Sequence, residues 1–595
     1  MESITITLLP EGRTLSAPKG GNLLSVLRQG GVPVDSPCGG QGRCGKCTVE
    51  LVEPEGVRAL PACTVTVTQP LTLRLPRPAG DTVILSQGED RPVLVDPLVR
   101  WIPVSLEDWD APSMWDGLAG AIAGAAHLAP GDLLPAPQLL PQLEALRRDG
   151  VRTAWALLWK NQPLELTAQP PQPCLMAFDL GTTTLVGYLL DGLTGETLAV
   201  ASAANPQAAY GADVISRAAH AVQGGGAELR RCVEDALATL VRQAAEKAGR
   251  SPEQILLAAV AGNTCMHHLW LGLSPASLIQ APYRPVLRAP LDLPAAECRL
   301  PIHPAGRVLA LPNLAGFVGA DTAACLLAAG FHRRERPALL VDIGTNGELV
   351  LGDRRRRLAC STAAGPAFEG ANISQGMRGG PGAIDHVTLE GDTLRCHVIG
   401  GGKAAGLCGS GLVDAAARLL ALGVIDATGR MAGAEELPPA MAGRIVQRDG
   451  QPAFVLTPPS DSRDGQPIIL TQRDVRELQL AKAAIAAGIA LLAQSWGIAL
   501  GDIPEVLLAG AFGSFMDLDC AYAIGLLPPE LEGRTRSIGN AAGTGAKLAA
   551  LSAGQLRLCT RLAGDTVCLD LAAHPEFQTR YFTAMNFGPV EDWDL

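Results

Sequence analysis

Cys38, Cys44, Cys47 and Cys63 follow a C-x5-C-x2-C-x15-C spacing, with Gly39, Gly40, Gly42 and Gly45 set among the first three. Three thiols on one glycine-rich loop and a fourth nearby suit thiolates converging on two irons, the arrangement of a [2Fe–2S] cluster that passes single electrons. Glycine is what such a loop needs, because it accepts positive φ and leaves backbone N–H groups free to point at sulfur. Zinc is the competing chemistry for C-x2-C, but structural zinc favours two separated pairs over a triplet and a singlet.

A second chemistry lies farther along. LMAFDLGTTTLVGYLLD (175–191) and LLVDIGTNGELVLGD (339–353) each read as an apolar strand, a Gly–Thr turn and a returning strand. Asp342, Gly344 and Thr345 repeat Asp179, Gly181 and Thr182 at a constant offset. In such a turn glycine lets the backbone come close, amides and Thr hydroxyls face phosphate oxygens, and the Asp reaches Mg²⁺ directly or through water. One D-x-G-T is weak evidence, since many hairpins turn on Gly beside Thr. Two in register indicate two related lobes.

These residues need elements to hold them. ITITLLPEGRTLSAPKGGNLLSVLRQGGV, ahead of the cysteines, reads as a strand, a turn, a second strand and an amphipathic helix, a small β-grasp order. This region, 1–80, resembles ferredoxins of the adrenodoxin type, with one more residue between the first two cysteines than the plant pattern. Residues 81–112 carry prolines, charges, Trp101 and Trp109, and read as an extended linker that the tryptophans clamp to a neighbour. Residues 113–171 read as a small α/β module. The two lobes then occupy 172–338 and 339–595.

Length and composition agree with several domains. A chain of 595 residues exceeds what one core supports. Hydrophobic content of 47% with only 4% aromatic residues and 67 glycines indicates cores of Ala, Leu and Val joined by tight turns. The net charge of −11 argues against a nucleic-acid partner. No basic, apolar leader opens the sequence, so a cytoplasmic location is expected. AAIAAGIALLAQSWGIAL is expected to be a buried core helix and not a membrane span. The other eleven cysteines are scattered and read as reduced, mostly buried thiols.

The paired loops resemble the actin, sugar-kinase and heat-shock-protein superfamily, whose two ribonuclease-H-like lobes close over ATP. VLLAGAFGSFMD (506–517) looks like that superfamily's adenosine-binding turn, with Gly510 and Gly513 letting the chain pass the base and ribose. GLCGSGLVDAAARLLALG and IGNAAGTGAKLAALSAG look like its small-residue hinge helices, although close helix packing alone would select the same glycines. Together with the ferredoxin region the chain resembles the reductive activators of corrinoid proteins. That resemblance also takes in 205–217, 261–272, 361–385 and 471–489.

The resemblance implies an ATPase coupled to electron transfer, which returns an oxidised Co(II) corrinoid to Co(I) by one-electron reduction. Cys38, Cys44, Cys47 and Cys63 would ligate the [2Fe–2S] cluster. Asp179, Gly181, Thr182, Thr183 and Thr184 would form one phosphate loop, and Asp342, Gly344, Thr345 and Asn346 the other, with Mg²⁺ between them. Asn263 and Thr264 would face the γ-phosphate, and Asp342 or Glu348 would orient the attacking water. The implied partners are a corrinoid iron–sulfur protein or a corrinoid methyltransferase subunit and an external low-potential donor, with a homodimer as the assembly. Two other classes fit parts of the pattern: a small-molecule kinase regulated by a ferredoxin domain, and a non-enzymatic redox sensor. His267 and His268 read as helix histidines, since adjacent side chains on a helix diverge by about 100°. Arg354 to Arg357 read as a solvated hairpin tip.

Overall fold

A computed structural model describes residues 3–9, 12–32, 34, 36, 39–42, 45–53, 56–75, 85–89, 91–107, 111–129, 131, 133–391 and 393–590. The N-terminal module is the expected β-grasp. Ser3–Leu9 pairs antiparallel with Arg13–Pro18 and parallel with Leu71–Arg74, and Thr48–Glu53 and Gly56–Pro61 complete a five-stranded sheet. Alternation along ITITLL puts Ile4, Ile6 and Leu8 on one face, where Leu23, Leu24 and Leu27 of the helix Leu23–Gln29 close the core.

The stretch read as a linker divides. Residues 85–89 and 91–98 run extended, but Val99–Ser105 is a strand, paired antiparallel with Thr153–Trp159 in a sheet that Gln162–Thr167 completes. Pro103 hid it in the sequence, and the sheet order explains why it is tolerated: Val99–Ser105 is an edge strand. Met114–Ala126 and Leu140–Arg148 cover this sheet, making the small middle module. Trp101 does clamp the segment to a neighbour, edge-on to His303 of the first lobe at 6.4 Å. Trp109 lies outside the described residues.

Each lobe is built on a six-stranded sheet, and the two share a plan. Cys174–Leu180 turns back antiparallel into Thr184–Asp191 and has Ile255–Gly262 parallel on its other side. Ala338–Ile343 turns back into Gly347–Gly352 and has Val506–Ala509 parallel on its other side. This is the two-lobed actin-like body with its duplication visible strand by strand.

The helix Ala541–Leu551 crosses back and packs on Ala320–Ala328, so close that a Cβ on Gly545 would overlap the Ala324 carbonyl. Leu175, Ala323, Leu340, Leu507 and Ala546 belong to one core shared between the sheets. A helix of small residues is what fits this gap. The helix Gln472–Trp496 is the one described helix long and apolar enough to cross a membrane, and 83% of its apolar window is buried inside the protein. Arg357 is also no solvated residue. It is 3% exposed and donates to Thr566 Oγ1 and the Asp353 carbonyl, whereas Arg354 and Arg356 do lie at the hairpin tip.

Candidate functional site

Gly39, Gly40, Gly42 and Gly45 have φ of 66°, 89°, 72° and 65°, the conformation expected of a loop wrapping a cluster. Cys47 is fully buried where this loop enters the strand Thr48–Glu53. Its carbonyl accepts the Ala62 N–H at 2.9 Å, which brings the helical turn Ala62–Thr64 and its Cys63 alongside. Asn22 donates to the Cys63 carbonyl at 2.8 Å and fixes that turn from the other side. A Cβ on Gly40 would lie 3.8 Å from that of Cys63, so the loop closes over the second thiol. Two thiols and a positive-φ loop thus fit a cluster. Cys38 and Cys44 lie outside the described residues.

Between the lobes a cavity of about 400 Å³ receives both Gly–Thr turns. Gly181 N–H bonds the Thr184 carbonyl at 3.0 Å and Gly344 N–H the Asn346 carbonyl at 2.9 Å, so both turns are tight and present their hydroxyls to the cavity. Asp179, Thr182, Thr183, Thr184, Asp342, Thr345, Asn346 and Glu348 all line it. Asn263 lines it too, donating to Thr182 Oγ1 at 2.8 Å while capping the helix Thr264–Leu271. Gly510 lines it at φ 80°.

Thr264 and Gly513 do not reach the cavity. The Thr264 hydroxyl is spent on the Ala315 carbonyl at 2.6 Å, and Gly513 packs against Leu508. His267 and His268 are each 1% exposed core residues, His268 satisfied by the Thr264 carbonyl and the Val286 N–H. Burial pulls His267 down to about 4.

Six carboxyls line this cavity, and burial governs four of them. Asp179 and Asp342 are pushed up to about 6, Asp321 to about 7, and Glu348 well above the carboxylate range. Mutual repulsion adds to the effect for Asp342, Asp321 and Glu348. Among the described lining residues Arg378 is the only cation. So dense a set of buried oxygens with little compensating charge is the donor chemistry of a hard divalent ion.

Several lining residues had no role assigned from sequence. Glu369 accepts from Thr183 Oγ1 at 2.7 Å and Thr345 Oγ1 at 2.9 Å, joining the two turns. Asn540 donates to Asp179 Oδ2 at 2.9 Å while capping Ala541–Leu551. Phe368 and Phe512 lie 4.6 Å apart between ring centres, and with Phe515 form an aromatic wall. Glu369, Phe368, Phe512 and Asn540 fall within the segments 361–385, 506–517 and 538–554 that carried the resemblance. Asp321 stood in none of them, and its signal was the small-residue helix that it opens.

A cysteine loop on a β-grasp module, joined to a two-lobed body with duplicated Gly–Thr turns over an acidic cavity, defines a ferredoxin-fused protein of the actin-like ATPase class. Comparison with known proteins finds relatives over most of the chain. Residues 6–68 match the family described as 2Fe-2S iron-sulfur cluster binding domain, 174–334 the RACo middle region, and 336–594 the C-terminal domain of RACo, the ASKHA domain. The corrinoid activation enzyme RamQ of Eubacterium limosum is 35% identical over 579 residues, covering 94% of this chain and 95% of that protein. The Co(II) methylated amine-specific corrinoid protein reductase of Methanosarcina barkeri is 29% identical over 243 residues, 37% of this chain and 40% of that one. A solved reductive activator for corrinoid, iron-sulfur protein superposes with a TM-score of 0.76 at 28% identity, covering 99% of both chains. The chain belongs to the family of reductive activators of corrinoid proteins and is an enzyme of that kind, with a [2Fe–2S] ferredoxin domain at its N-terminal end.

Proposed function

We propose that this protein delivers one electron to the Co(II) centre of a partner corrinoid protein, giving Co(I), and hydrolyses ATP to ADP and phosphate to drive the transfer. The observation that carries the reading is the union in one chain of the cysteine loop with the duplicated phosphate turns. Cys38, Cys44, Cys47 and Cys63 would hold the cluster, which when bound supplies a one-electron couple near about −400 mV. Transfer to a more negative cobalt couple is uphill by roughly 1.4 kcal/mol per 59 mV, and the nucleotide offsets that.

This chain's own residues divide the nucleotide work. The hydroxyls of Thr182, Thr183, Thr184 and Thr345 and the amides of both turns donate to phosphate oxygens. Asp179 and Asp342 would hold Mg²⁺, with Asp321 and Glu348 nearby, and the ion would supply the positive charge that offsets the mutual repulsion of the buried acids. The wall of Phe368 and Phe512 takes the adenine face. Glu348 or Glu369 orients water toward the γ-phosphate, a reaction that needs chiefly positioning and charge neutralisation. Closure of the lobes on ATP favours one state of the bound partner over another, which is the only way binding energy shifts an equilibrium. The electron comes from an external low-potential donor, and the working assembly is a homodimer.

The test is anaerobic mixing of reduced protein, Mg·ATP and a panel of Co(II) corrinoid proteins, following the Co(I) absorption. Co(I) should form only with ATP present, and Cys63→Ser should abolish it. ATP-independent reduction, or none with any partner while the cluster is intact, overturns the reading.

A further inference from the structure

We infer that Lys46 is a positioning residue through which the state of the nucleotide cavity sets the position of the cysteine loop. This rests on the nucleotide and cluster reading above and names the contacts that join the two sites.

Lys46 directly precedes the buried Cys47. Its ammonium lies 3.2 Å from the Gly376 carbonyl and 3.5 Å from that of Ile373, both in the second lobe. Across the same loop Ser36 donates to the Ala209 carbonyl of the first lobe at 2.7 Å. Arg28 bonds that same carbonyl and lies over the Tyr210 ring at 5.2 Å. A Cβ on Gly39 would come 3.2 Å from the Tyr210 carbonyl. The cysteine loop is therefore gripped by one lobe on each side.

Both grips lead to the phosphate turns. Residues 369–378 begin at Glu369, which joins Thr183 to Thr345, and end at Met377 and Arg378 in the cavity wall. Between those ends Ser374 is pinned to Asp474 through its N–H at 2.7 Å and its hydroxyl at 3.0 Å, and Met377 N–H bonds the Leu407 carbonyl at 2.9 Å. So braced a run moves with the second lobe and does not absorb motion internally. On the first lobe, Asn205 stands four residues before Ala209. Its side chain donates to the Gly181 carbonyl at 2.8 Å and its N–H to the Thr183 carbonyl at 2.8 Å. Any change in lobe closure must therefore break the Lys46 grip, break the Ser36 grip, or carry the cysteine loop along.

The test is hydrogen exchange on the full-length, cluster-loaded protein with and without Mg²⁺ and a non-hydrolysable ATP analogue, comparing wild type, Lys46→Met and Lys46→Arg. In the wild type the analogue should slow exchange in peptides over 45–49, as well as in the phosphate turns, by at least threefold. Lys46→Met should lose the response at 45–49 and keep it at the phosphate turns, and Lys46→Arg should restore it. A merely structural lysine would change exchange at 45–49 equally with and without nucleotide, which would overturn the inference. So would a Lys46→Met response identical to wild type, or a wild-type loop unresponsive while the phosphate turns respond. Phosphate turns that ignore the analogue would instead overturn the nucleotide reading itself. If Lys46→Met fails to fold, Ser36→Ala is judged by the same criteria from the opposite grip.

Discussion

Thr183 of the first phosphate turn and Thr345 of the second donate their hydroxyls to the two oxygens of a single carboxylate, Glu369, at 2.7 and 2.9 Å. An anion between two hydroxyl-bearing turns occupies a position that competes with phosphate for the same donors. On the proposed function, a nucleotide that took those hydroxyls would free the carboxylate beside its phosphates, where it would accept a proton from water. Glu369→Gln keeps the size and loses the basicity. It should lower ATP turnover by roughly 10²-fold or more, the usual contribution of a positioned base, with nucleotide affinity held within a few-fold. Steady-state ADP release beside equilibrium binding separates the two; collapsed affinity with intact turnover would make Glu369 only a bridge.

The buried acids give the nucleotide-free protein a defined pH response. Asp321 is raised to about 7 and Asp179 and Asp342 to about 6, all by burial first. An acid whose folded pKa exceeds its unfolded value holds its proton more tightly when native. Its penalty is therefore absent below about pH 4, grows as pH rises, and is complete above about pH 7. Asp321→Asn should raise the melting temperature at about pH 8, by an amount on the order of 2–4 kcal/mol in stability, and raise it far less at about pH 4.5. Mg²⁺ with an ATP analogue should shrink that gain, because the ion compensates the carboxylate. Melting curves across this range check both, and an equal gain at both ends would show that the effect is packing.

What could be read from sequence was what chemistry or repetition makes local. The cysteine triplet and each turn lie within a few residues, and the turns recur in register, so Cys47, Asp179 and Asp342 are legible without the fold. Glu369 stands 24 residues from Thr345 and 186 from Thr183, and only the closed cleft brings the three together. Asn540 caps its helix by accepting the Gly543 N–H, and its carboxamide nitrogen reaches Asp179, far off in sequence. Thr264 failed for the converse reason. A hydroxyl next to Asn263 suits phosphate equally well, until the chain supplies the Ala315 carbonyl.

Gly510 joins backbone conformation to the acid site. Its φ of 80° is costly for any other residue, and a Cβ there would lie 2.6 Å from Asp342 Oδ1. Gly510→Ala should therefore displace Asp342 and weaken Mg·nucleotide binding at least tenfold, beyond a backbone cost of roughly 1–3 kcal/mol. The cluster, on its separate module, should load normally. Calorimetric titration with an ATP analogue, set against the visible absorption of the cluster, reads the two effects independently. Loss of both together would mean that the substitution unfolds the protein.

The segment leaving the ferredoxin module forms part of the wall of the interlobe cavity. Leu85 lines the cavity, and Asn540 takes the Gln87 carbonyl with its N–H at 2.8 Å. The Asn540 carboxamide reaches the Leu85 carbonyl at 3.4 Å with the nitrogen that also holds Asp179 at 2.9 Å. Gly88 bridges to Gly539 one residue earlier, and Glu89 pairs with Arg536. The fit at Gly88 excludes a side chain: a Cβ would sit 2.5 Å from Thr544 Oγ1 and 2.6 Å from the Asn540 carbonyl. Gly88→Ala must lift the strap or tilt Asn540, and either outcome loosens Asp179 without altering a phosphate-turn residue. Nucleotide affinity should fall about tenfold, which corresponds to roughly 1.4 kcal/mol, and a peptide over 85–89 should exchange its amides faster. Faster exchange with unchanged affinity would show that the strap merely passes the cavity, and that Asn540 holds Asp179 without its help.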